Sequence, residues 1–147
     1  MFKGMSSTLL FKGPRSSFSN LYRIDSGFHY HGQFFHSVEQ AYQWEKAMRH
    51  GLSKRAARIL TLSDPYRIKA EGSFNTSDDW EAGKAKLMLK LLLLKVENCP
   101  QFHQDLLQSF PKVLVENTAN EFWGRGAQGT GLNTLGCLLV HVRSTLL

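Results

Sequence analysis

Residues 77–97 read SDDWEAGKAKLMLKLLLLKVE, and this stretch decides the fold class. Thr76 or Ser77 is a typical helix N-cap, and the acidic residues that follow suit the positive end of a helix. Pro100 ends the pattern. The apolar part, Leu87–Leu94, is hydrophobic on almost every side, which predicts a long, buried central helix around which the rest of the chain packs.

Shorter elements are predicted on both sides of this helix from capping residues, turn residues and apolar spacing. Helices are predicted over 37–48, 53–60, 65–71, 78–97, 100–109 and 132–146, and strands over 9–12, 18–22, 27–30, 33–36 and 113–116. The pair His31-Gly32 is typical of a tight hairpin turn. The sequence therefore predicts an α+β, helix-dominated single domain over 9–147, with a small N-terminal β-sheet and a flexible leader over 1–8.

Composition places the chain among ordinary globular proteins: of 147 residues, 42% are hydrophobic and 20% are charged. The net charge of +6 indicates an anionic partner, but the basic residues are spread out, which disfavours a dedicated nucleic-acid arm. Cys99 and Cys137 lack the spacing of a metal site or a disulfide framework. No signal or membrane-spanning segment is apparent, so we expect a cytoplasmic or nuclear protein.

Residues 120–136 read NEFWGRGAQGTGLNTLG, a glycine-rich segment that runs into the last helix. Glycine permits positive φ and close approach of a ligand, and Asn133 is placed to cap the helix. A loop that enters a helix N-terminus is a typical phosphate site, so we expect an anion to bind here. The segment lacks the lysine of a nucleotide-binding P-loop, which argues against a nucleotide hydrolase.

The helix that begins after Ser37 presents four polar residues at helical spacing, namely Glu39, Tyr42, Gln43 and Lys46. One interpretation is a solvated helix face that carries an exposed ion pair. The alternative is a polar cluster that lines a cleft, with a carboxylate kept ionised in the first helical turn. An ionised carboxylate is what a cationic transition state requires.

Three further residues have both a structural and a functional interpretation. Glu116 ends an apolar strand and either points to water or reaches a functional rim. Trp80 is either a core residue or part of a ligand wall, and Trp123 is either a packing residue or a stacking surface for a ring. The cluster of His29, His31 and His36 has no neighbouring acidic or cysteine ligand, so no metal is predicted.

Six motifs in order give the chain a resemblance to the NADAR (YbiA-like) family over about Leu10–Arg143. They are FSNLY at 18–22, HSVEQAYQ at 36–43 with Lys46, Trp80, LVE at 114–116, FWGRG at 122–126 and GLNTLG at 131–136. The resemblance implies an N-glycosidase that hydrolyses a ribosyl bond to nitrogen and needs no cofactor. It further implies that Glu39 is the catalytic carboxylate and that Trp80 walls the site. The ligand-binding residues that it implies are Asn20, Tyr42, Lys46, Glu116, Trp123, Gly124, Arg125, Gly126 and Asn133.

One position departs from the family pattern. Asn120 stands where the family usually carries an aspartate with a functional role, and an amide cannot act as a general base. Three explanations follow: Glu121 or Glu116 substitutes for the acid, Asn120 belongs to an active subgroup, or activity is lost. The intact Glu39 motif favours the active subgroup.

Three functions follow from the resemblance. The first is removal of ADP-ribose from guanine or related bases, with ADP-ribosylated nucleic acid as a further partner. The second is hydrolysis of phosphorylated intermediates of riboflavin synthesis, for which the substrate is a ribosyl phosphate. The third is a non-catalytic module that binds ADP-ribose or NAD. No membrane partner is expected, and the sequence makes no prediction about oligomeric state.

Overall fold

The computed structural model describes residues 7–147, which form an α+β fold, as predicted. Within this range the helices are α1 (Val38–Arg49), α2 (Ser53–Thr61), α3 (Pro65–Glu71), α4 (Asp78–Asn98), α5 (Pro100–Ser109) and α6 (Thr134–Ser144). The strands are β1 (Thr8–Phe11), β2 (Phe28–Tyr30), β3 (Gln33–Phe35) and β4 (Val113–Glu116). None of the helices in the described residues is long and apolar enough to span a membrane.

Helix α4 is the longest element, and it begins and ends within one residue of the prediction. Its burial follows one face: the buried residues are Trp80, Leu87, Met88, Leu91, Leu92 and Lys95. Leu93 is 39% exposed and Lys90 is exposed, so burial on all sides was wrong. The run contains more leucines than the buried face of the helix can hold, and the additional side chains lie at the surface.

The chain divides into two compact units, of which the first is Asn20–Cys99. In this unit α1 packs against α2, α3 and α4. Strands β2 and β3 pair antiparallel, and positive φ at His31 and Gly32 gives the predicted hairpin turn. Helix α1 begins as predicted, because Oγ of Ser37 accepts from the backbone N of Gln40 at 3.1 Å.

The second unit combines the residues up to Ser19 with Pro100–Leu147. Strand β1 pairs in parallel with β4, so the predicted N-terminal sheet is in fact two separate pairs, and one of them uses a C-terminal strand. Helix α6 packs closely on β4, since a Cβ on Gly136 would lie 2.0 Å from the carbonyl oxygen of Leu114. Strand β1 includes Thr8, which was expected in the leader, whereas residues 1–6 of that leader lie outside the described residues.

The strand predicted over 18–22 is wrong, because this segment forms turns. The backbone N of Ser19 donates to the carbonyl oxygen of Ser16 at 3.0 Å, which is a turn bond and not a ladder bond. Helix α6 also begins two residues later than predicted. Asn133 has a φ of 51°, in the left-handed region, so the helix cannot include Leu132.

Candidate active site

Glu39 lies in the first turn of α1 and is 8% exposed. Its Oε2 accepts a hydrogen bond from Nε2 of Gln43 at 2.6 Å, one helical turn further on. Its backbone N donates to the carbonyl oxygen of Asn20 at 3.0 Å. Tyr42 is buried on the same helix. The interpretation of this face as solvated is therefore wrong, and its polar side chains form an interior cluster.

Burial raises the pKa of Glu39 above its ordinary value. The hydrogen bond from Gln43 and the positive charges of Lys69 and Lys46 act in the opposite direction and lower it in part. The expected preference for the ionised form at a helix start is thus outweighed by burial. A carboxyl group with a raised pKa can exchange a proton closer to neutral pH, as a general base or acid needs to do.

Lys46 does not form the exposed ion pair that the sequence allowed. Its Nζ donates to the carbonyl oxygen of Gly72 and lies 4.8 Å from the ring centre of Phe74. Burial lowers the pKa of Lys46, while the charge of Glu39 raises it in part. Lys46 therefore acts on Glu39 through its charge, and it fixes the residue that follows α3.

Trp80 lies in the interior and is 2% exposed. Its ring centre is 5.3 Å from that of Tyr42 and 5.9 Å from that of His50. The guanidinium of Arg49 lies 5.6 Å from the Trp80 ring. This burial agrees with the interpretation of Trp80 as a core residue. A direct contact between Trp80 and the substrate stays a prediction.

Two buried acceptor atoms near Glu39 have no hydrogen-bond donor in the described part of the protein. They are Oδ1 of Asn20 and Oε1 of Gln43. Nδ2 of Asn20 is occupied, because it lies 3.4 Å from the sulfur of Met88. Buried acceptors without donors are unusual in proteins and are often satisfied by water or by a ligand. Oδ1 of Asn20 provides a position at which a hydroxyl group could donate, whereas Oε1 of Gln43 lies against Gly72.

The glycine loop belongs to the other compact unit, and its backbone N–H groups are already used. Gly124 donates to Asn120, Gly126 to Thr118 and Gly129 to Gly126, each at 3.1 Å, and Gly131 donates to Arg125 at 2.6 Å. These four glycine N–H groups therefore serve the loop itself, and binding of a ligand by Gly124 and Gly126 stays a prediction.

Backbone N–H groups at the start of α6 also donate to carbonyl oxygens of the loop. The backbone N of Thr134 donates to the carbonyl oxygen of Phe122 at 3.0 Å, and that of Leu135 donates to Trp123 at 3.1 Å. These are the donors that an anion at a helix N-terminus would need. The loop thus supplies acceptors to these two donors at the helix start, and binding of an anion at this place stays a prediction.

The glycines serve the shape of this loop. Gly126 and Gly129 have φ of 77° and 76°, which other residues rarely adopt. Gly131 does not have a positive φ, but a Cβ there would lie 2.5 Å from the carbonyl oxygen of Gly124. The absence of a side chain at Gly131 thus allows the loop to pack closely on its own backbone.

Asn133 precedes α6, but its side chain does not cap the helix. Its Oδ1 accepts from the backbone N of Glu116 at 2.9 Å, and its Nδ2 donates to the carbonyl oxygen of Leu114 at 3.0 Å. The carboxylate of Glu116 accepts from Oγ1 of Thr118 at 3.3 Å. Asn133 thus joins the helix start to β4, and the predicted cap was wrong.

The side chain of Asn120 holds the turn that follows it. Its Oδ1 accepts from the backbone N of Phe122 at 2.9 Å and from that of Trp123 at 2.7 Å. An aspartate could accept the same two bonds. The amide at position 120 therefore holds a turn that an aspartate could hold equally well. Whether position 120 acts in catalysis stays a prediction.

Arg125 and the end of the glycine loop line a cavity of about 400 Å³. The other lining residues are Asn117, Thr118, Ala119, Gly126, Ala127, Gln128 and Gly129. Trp123 is half-buried and its ring centre lies 4.7 Å from that of Phe122, edge to face. A phosphate in this cavity would be recognised by the Arg125 side chain, because the glycine N–H groups are engaged.

The histidine cluster is held by contacts of its own. The ring of His29 lies 4.8 Å from that of Phe34, and Nδ1 of His36 is 3.1 Å from the carbonyl oxygen of Ile24. Among residues 7–147, no group of three or more histidine, cysteine, aspartate or glutamate side chains is arranged to hold a metal ion.

Two residues around Glu39 were not identified as site residues from the sequence. Gly72 directly follows the helix predicted over 65–71, and it contacts Gln43. Lys69, in the last turn of α3, contributes a positive charge at Glu39. A basic residue is common in the last turn of a helix, so the sequence provides a general reason for a positive charge at the end of α3. No signal in the sequence pairs Gly72 with Gln43.

A buried carboxyl with a raised pKa and a polar partner on the same helix is an arrangement found in the active sites of hydrolases. Comparison with known proteins gives the family. Residues 10–147 match the family model described as NADAR domain, and the chain belongs to this family.

Several curated relatives are similar to the chain over most of its length. N-glycosidase Npun_R5314 of Nostoc punctiforme is 32% identical over 140 residues, 90% of this chain and 86% of that protein. N-glycosidase YbiA of Escherichia coli is 30% identical over 116 residues, 78% and 72% of the two chains. These relatives support a glycosyl hydrolase activity.

Two further comparisons bear on the fold and on the alternatives. The NMR structure of E. coli YbiA has a TM-score of 0.76 and 29% identity, and the match covers 97% of this chain and 86% of that one. The riboflavin biosynthesis protein PYRR of Arabidopsis thaliana is 42% identical over 109 residues, which are 74% of this chain but 18% of PYRR.

Proposed function

We propose that the chain is an N-glycosidase in which Glu39 is the catalytic carboxylate. The observation that carries this proposal is the buried Glu39 side chain, with its raised pKa and its hydrogen bond from Gln43 at 2.6 Å. A carboxylate of this kind can stabilise an oxocarbenium-like transition state or activate water. The named N-glycosidases among the relatives support the same reaction class.

The proposed reaction is a hydrolysis. The bond between the ribose anomeric carbon and nitrogen breaks, and its electron pair stays on the nitrogen. Water adds to the anomeric carbon and gives a proton to the Glu39 carboxylate. The leaving nitrogen takes up a proton from solvent, and Glu39 returns its proton to solvent, so that the net reaction consumes one water. A raised pKa makes Glu39 a stronger base than an exposed glutamate, provided that the pH lies above this pKa.

The residues around Glu39 have distinct proposed roles. The unpartnered Oδ1 of Asn20 accepts from a ribose hydroxyl, which satisfies an otherwise unpaired buried acceptor. Lys46 supplies a positive charge that favours the ionised form of Glu39. Trp80 supports Tyr42 through their ring contact and acts from the core.

For the substrate, we propose ADP-ribose attached to guanine or a related base. The net charge of +6 favours a substrate that carries several phosphates. In the glycine loop, Arg125 is proposed to bind a phosphate group through its guanidinium. Glu116, Trp123, Gly124, Gly126 and Asn133 then act mainly by giving this loop and its neighbours their shape. Asn120 is proposed to hold the turn in an active enzyme.

A second candidate is hydrolysis of phosphorylated riboflavin intermediates. The similarity to PYRR favours it, although the matched region is a small part of that protein. The two candidates differ in the phosphate-bearing part of the substrate, which is a diphosphate in one and a single phosphate in the other.

The test is to incubate the protein with a guanine oligonucleotide that carries ADP-ribose and, separately, with the aminopyrimidine ribotide. Released ADP-ribose or ribose 5-phosphate is measured by mass spectrometry. We expect release of ADP-ribose, and a loss of at least about 100-fold in Glu39→Gln, which keeps the size of the side chain but removes the base. Glu97→Gln, on the exposed face of α4, is the matched control and should keep full activity.

Release of ribose 5-phosphate alone would select the second candidate. Binding of ADP-ribose in calorimetry without any cleavage would instead identify a binding module. Full activity of Glu39→Gln would contradict the assignment of the carboxylate, whichever substrate is used.

A further inference from the structure

We propose that Gly72 is a positioning residue for catalysis, which acts by holding the Gln43 amide against the carboxylate of Glu39. The inference rests on the proposed role of Glu39. Helix α3 supplies none of the predicted catalytic or ligand-binding residues. According to this inference, the end of α3 nevertheless determines how the Glu39 carboxylate is held.

The contact between Gly72 and Gln43 leaves no room for a side chain at position 72. A Cβ added to Gly72 would lie 1.7 Å from Oε1 and 2.2 Å from Cδ of Gln43. These distances are far below van der Waals contact. Gln43 is itself buried, and its Nε2 is the donor to Glu39. The amide of Gln43 is thus confined between Gly72 on one side and Glu39 on the other.

The backbone conformation does not explain the glycine. Gly72 has φ of −84° and ψ of 2°, which any residue can adopt. Glycine at this C-cap is therefore required by space alone. This separates Gly72 from Gly126 and Gly129, whose positive φ would strain another residue.

Two basic side chains fix the end of α3 at this place. Nζ of Lys46 donates to the carbonyl oxygen of Gly72, and a guanidinium nitrogen of Arg55 donates to that of Glu71 at 2.8 Å. Both cations also lie against the ring of Phe74, at 4.8 Å and 5.2 Å from its centre. These carbonyls are at the helix C-terminus, where positive charge is favourable. Gly72 is thereby tied to both α1 and α2.

The arrangement has a chemical consequence at Glu39. The hydrogen bond from Gln43 favours the charged form of Glu39 and partly offsets the effect of burial. If the amide is displaced, the carboxylate loses this donor and its pKa rises further. The catalytic base then becomes protonated at a higher pH, so activity is lost earlier as the solution is acidified.

The experiment compares pH profiles of kcat/KM for Gly72→Ala, Gln43→Met and the double variant. Gln43→Met keeps the approximate volume and removes the amide donor, and it serves if Gly72→Ala folds poorly. Gly83→Ala is the matched control, because a Cβ at Gly83 in α4 meets nothing within 4 Å. Thermal unfolding of each variant verifies the fold.

We expect the acid limb to move upward by about one pH unit in Gly72→Ala and in Gln43→Met, the scale of one hydrogen bond. The double variant should resemble Gln43→Met, since both changes act on one contact. Gly83→Ala should keep the wild-type profile.

Failure of this inference is distinguishable from failure of the proposed function. If Glu39→Gln is inactive while Gly72→Ala and Gln43→Met keep the wild-type acid limb, Gly72 has no positioning role. If the limb moves in Gly72→Ala but not in Gln43→Met, the effect does not pass through Gln43, and the inference is also wrong. Full activity of Glu39→Gln overturns the proposed function itself.

Discussion

Asn133 is joined to Glu116 by a hydrogen bond of 2.9 Å from the backbone N of Glu116 to Oδ1. The other end of the same amide donates to Leu114 at 3.0 Å, so one side chain replaces a neighbouring strand at the edge of β4. The backbone of Asn133 is left-handed, with φ of 51°. Asparagine is one of few residues that tolerate this conformation and can also serve as donor and acceptor.

Replacement of Asn133 should therefore reduce stability in a graded way. Asn133→Gly keeps the left-handed backbone and removes both side-chain bonds, which should lower the free energy of unfolding by about 1–3 kcal/mol. Asn133→Asp places a second oxygen against the carbonyl of Leu114 and should lower it further at neutral pH. Urea unfolding measures both, and equal stability of the wild type and Asn133→Asp would contradict the assigned bonds.

Asn120 should tolerate an acid but not a truncation. Asn120→Asp keeps an oxygen for the backbone N of Phe122 and Trp123, so stability and activity should stay near wild type. Asn120→Ala removes both bonds and should cost about 1 kcal/mol of stability. Thermal unfolding and turnover are the measurements, with the exposed Gln104→Ala in α5 as control. A large gain of activity in Asn120→Asp would show that the amide had limited catalysis.

Glu39→Gln should stabilise the protein while it removes activity. The folded-state pKa of Glu39 is raised, so folding favours the protonated form, and stability decreases as the pH rises through that pKa. The neutral glutamine avoids this loss. Its advantage in Tm should be absent at about pH 4, where the carboxyl is protonated, and largest at about pH 8, where roughly 3 °C corresponds to 1 kcal/mol. A Tm difference that is the same at both pH values would contradict a raised pKa.

Lys95 in α4 is a buried base, and burial lowers its pKa, whereas burial raises the pKa of the acid Glu39. Lys95 is fully buried, its Nζ lies 5.9 Å from the ring centre of Tyr22, and burial lowers its pKa to about 7. The unfolded chain takes up a proton more readily than the folded protein, so the native state is penalised increasingly as the pH falls toward about 7.

Lys95→Met should therefore raise the free energy of unfolding at about pH 6 by roughly 2 kcal/mol, and the gain should shrink toward about pH 10. Thermal unfolding at these two pH values is the measurement. Lys90→Met, on the exposed side of the same helix, is the control and should show little effect at either pH. A gain for Lys95→Met that does not depend on pH would reflect packing and not ionisation.

The sequence predicted the starts of α1, α3 and α4 well because residues of strong local preference stand there. Ser37, Asp64 and Ser77 cap their helices through side-chain oxygens. The hairpin turn at His31-Gly32 was predicted for the same reason. The strand expected over 18–22 was wrong, since Phe18 reaches the core from a turn, and the short apolar pattern does not distinguish a strand from a turn.

The sequence predicted some features of the candidate site and missed others. The polar face of α1 followed from helical spacing, but the burial of Glu39 depends on the packing of other helices and could not be derived locally. For the glycine loop, the sequence showed flexible residues near a helix start without showing which carbonyls would occupy the donors. The contact of Gly72 with Gln43 spans two helices, so a single sequence carries no trace of it.

The internal bonding of the glycine loop affects how quickly and how tightly a ligand could bind. Because Gly124, Gly126, Gly129 and Gly131 already donate to backbone carbonyls, the loop loses little conformational entropy when a ligand arrives. Association then resembles docking to a rigid surface, and differences in affinity between ligands should appear mainly as differences in dissociation rate. Arg125 would be the adjustable part of an otherwise fixed surface.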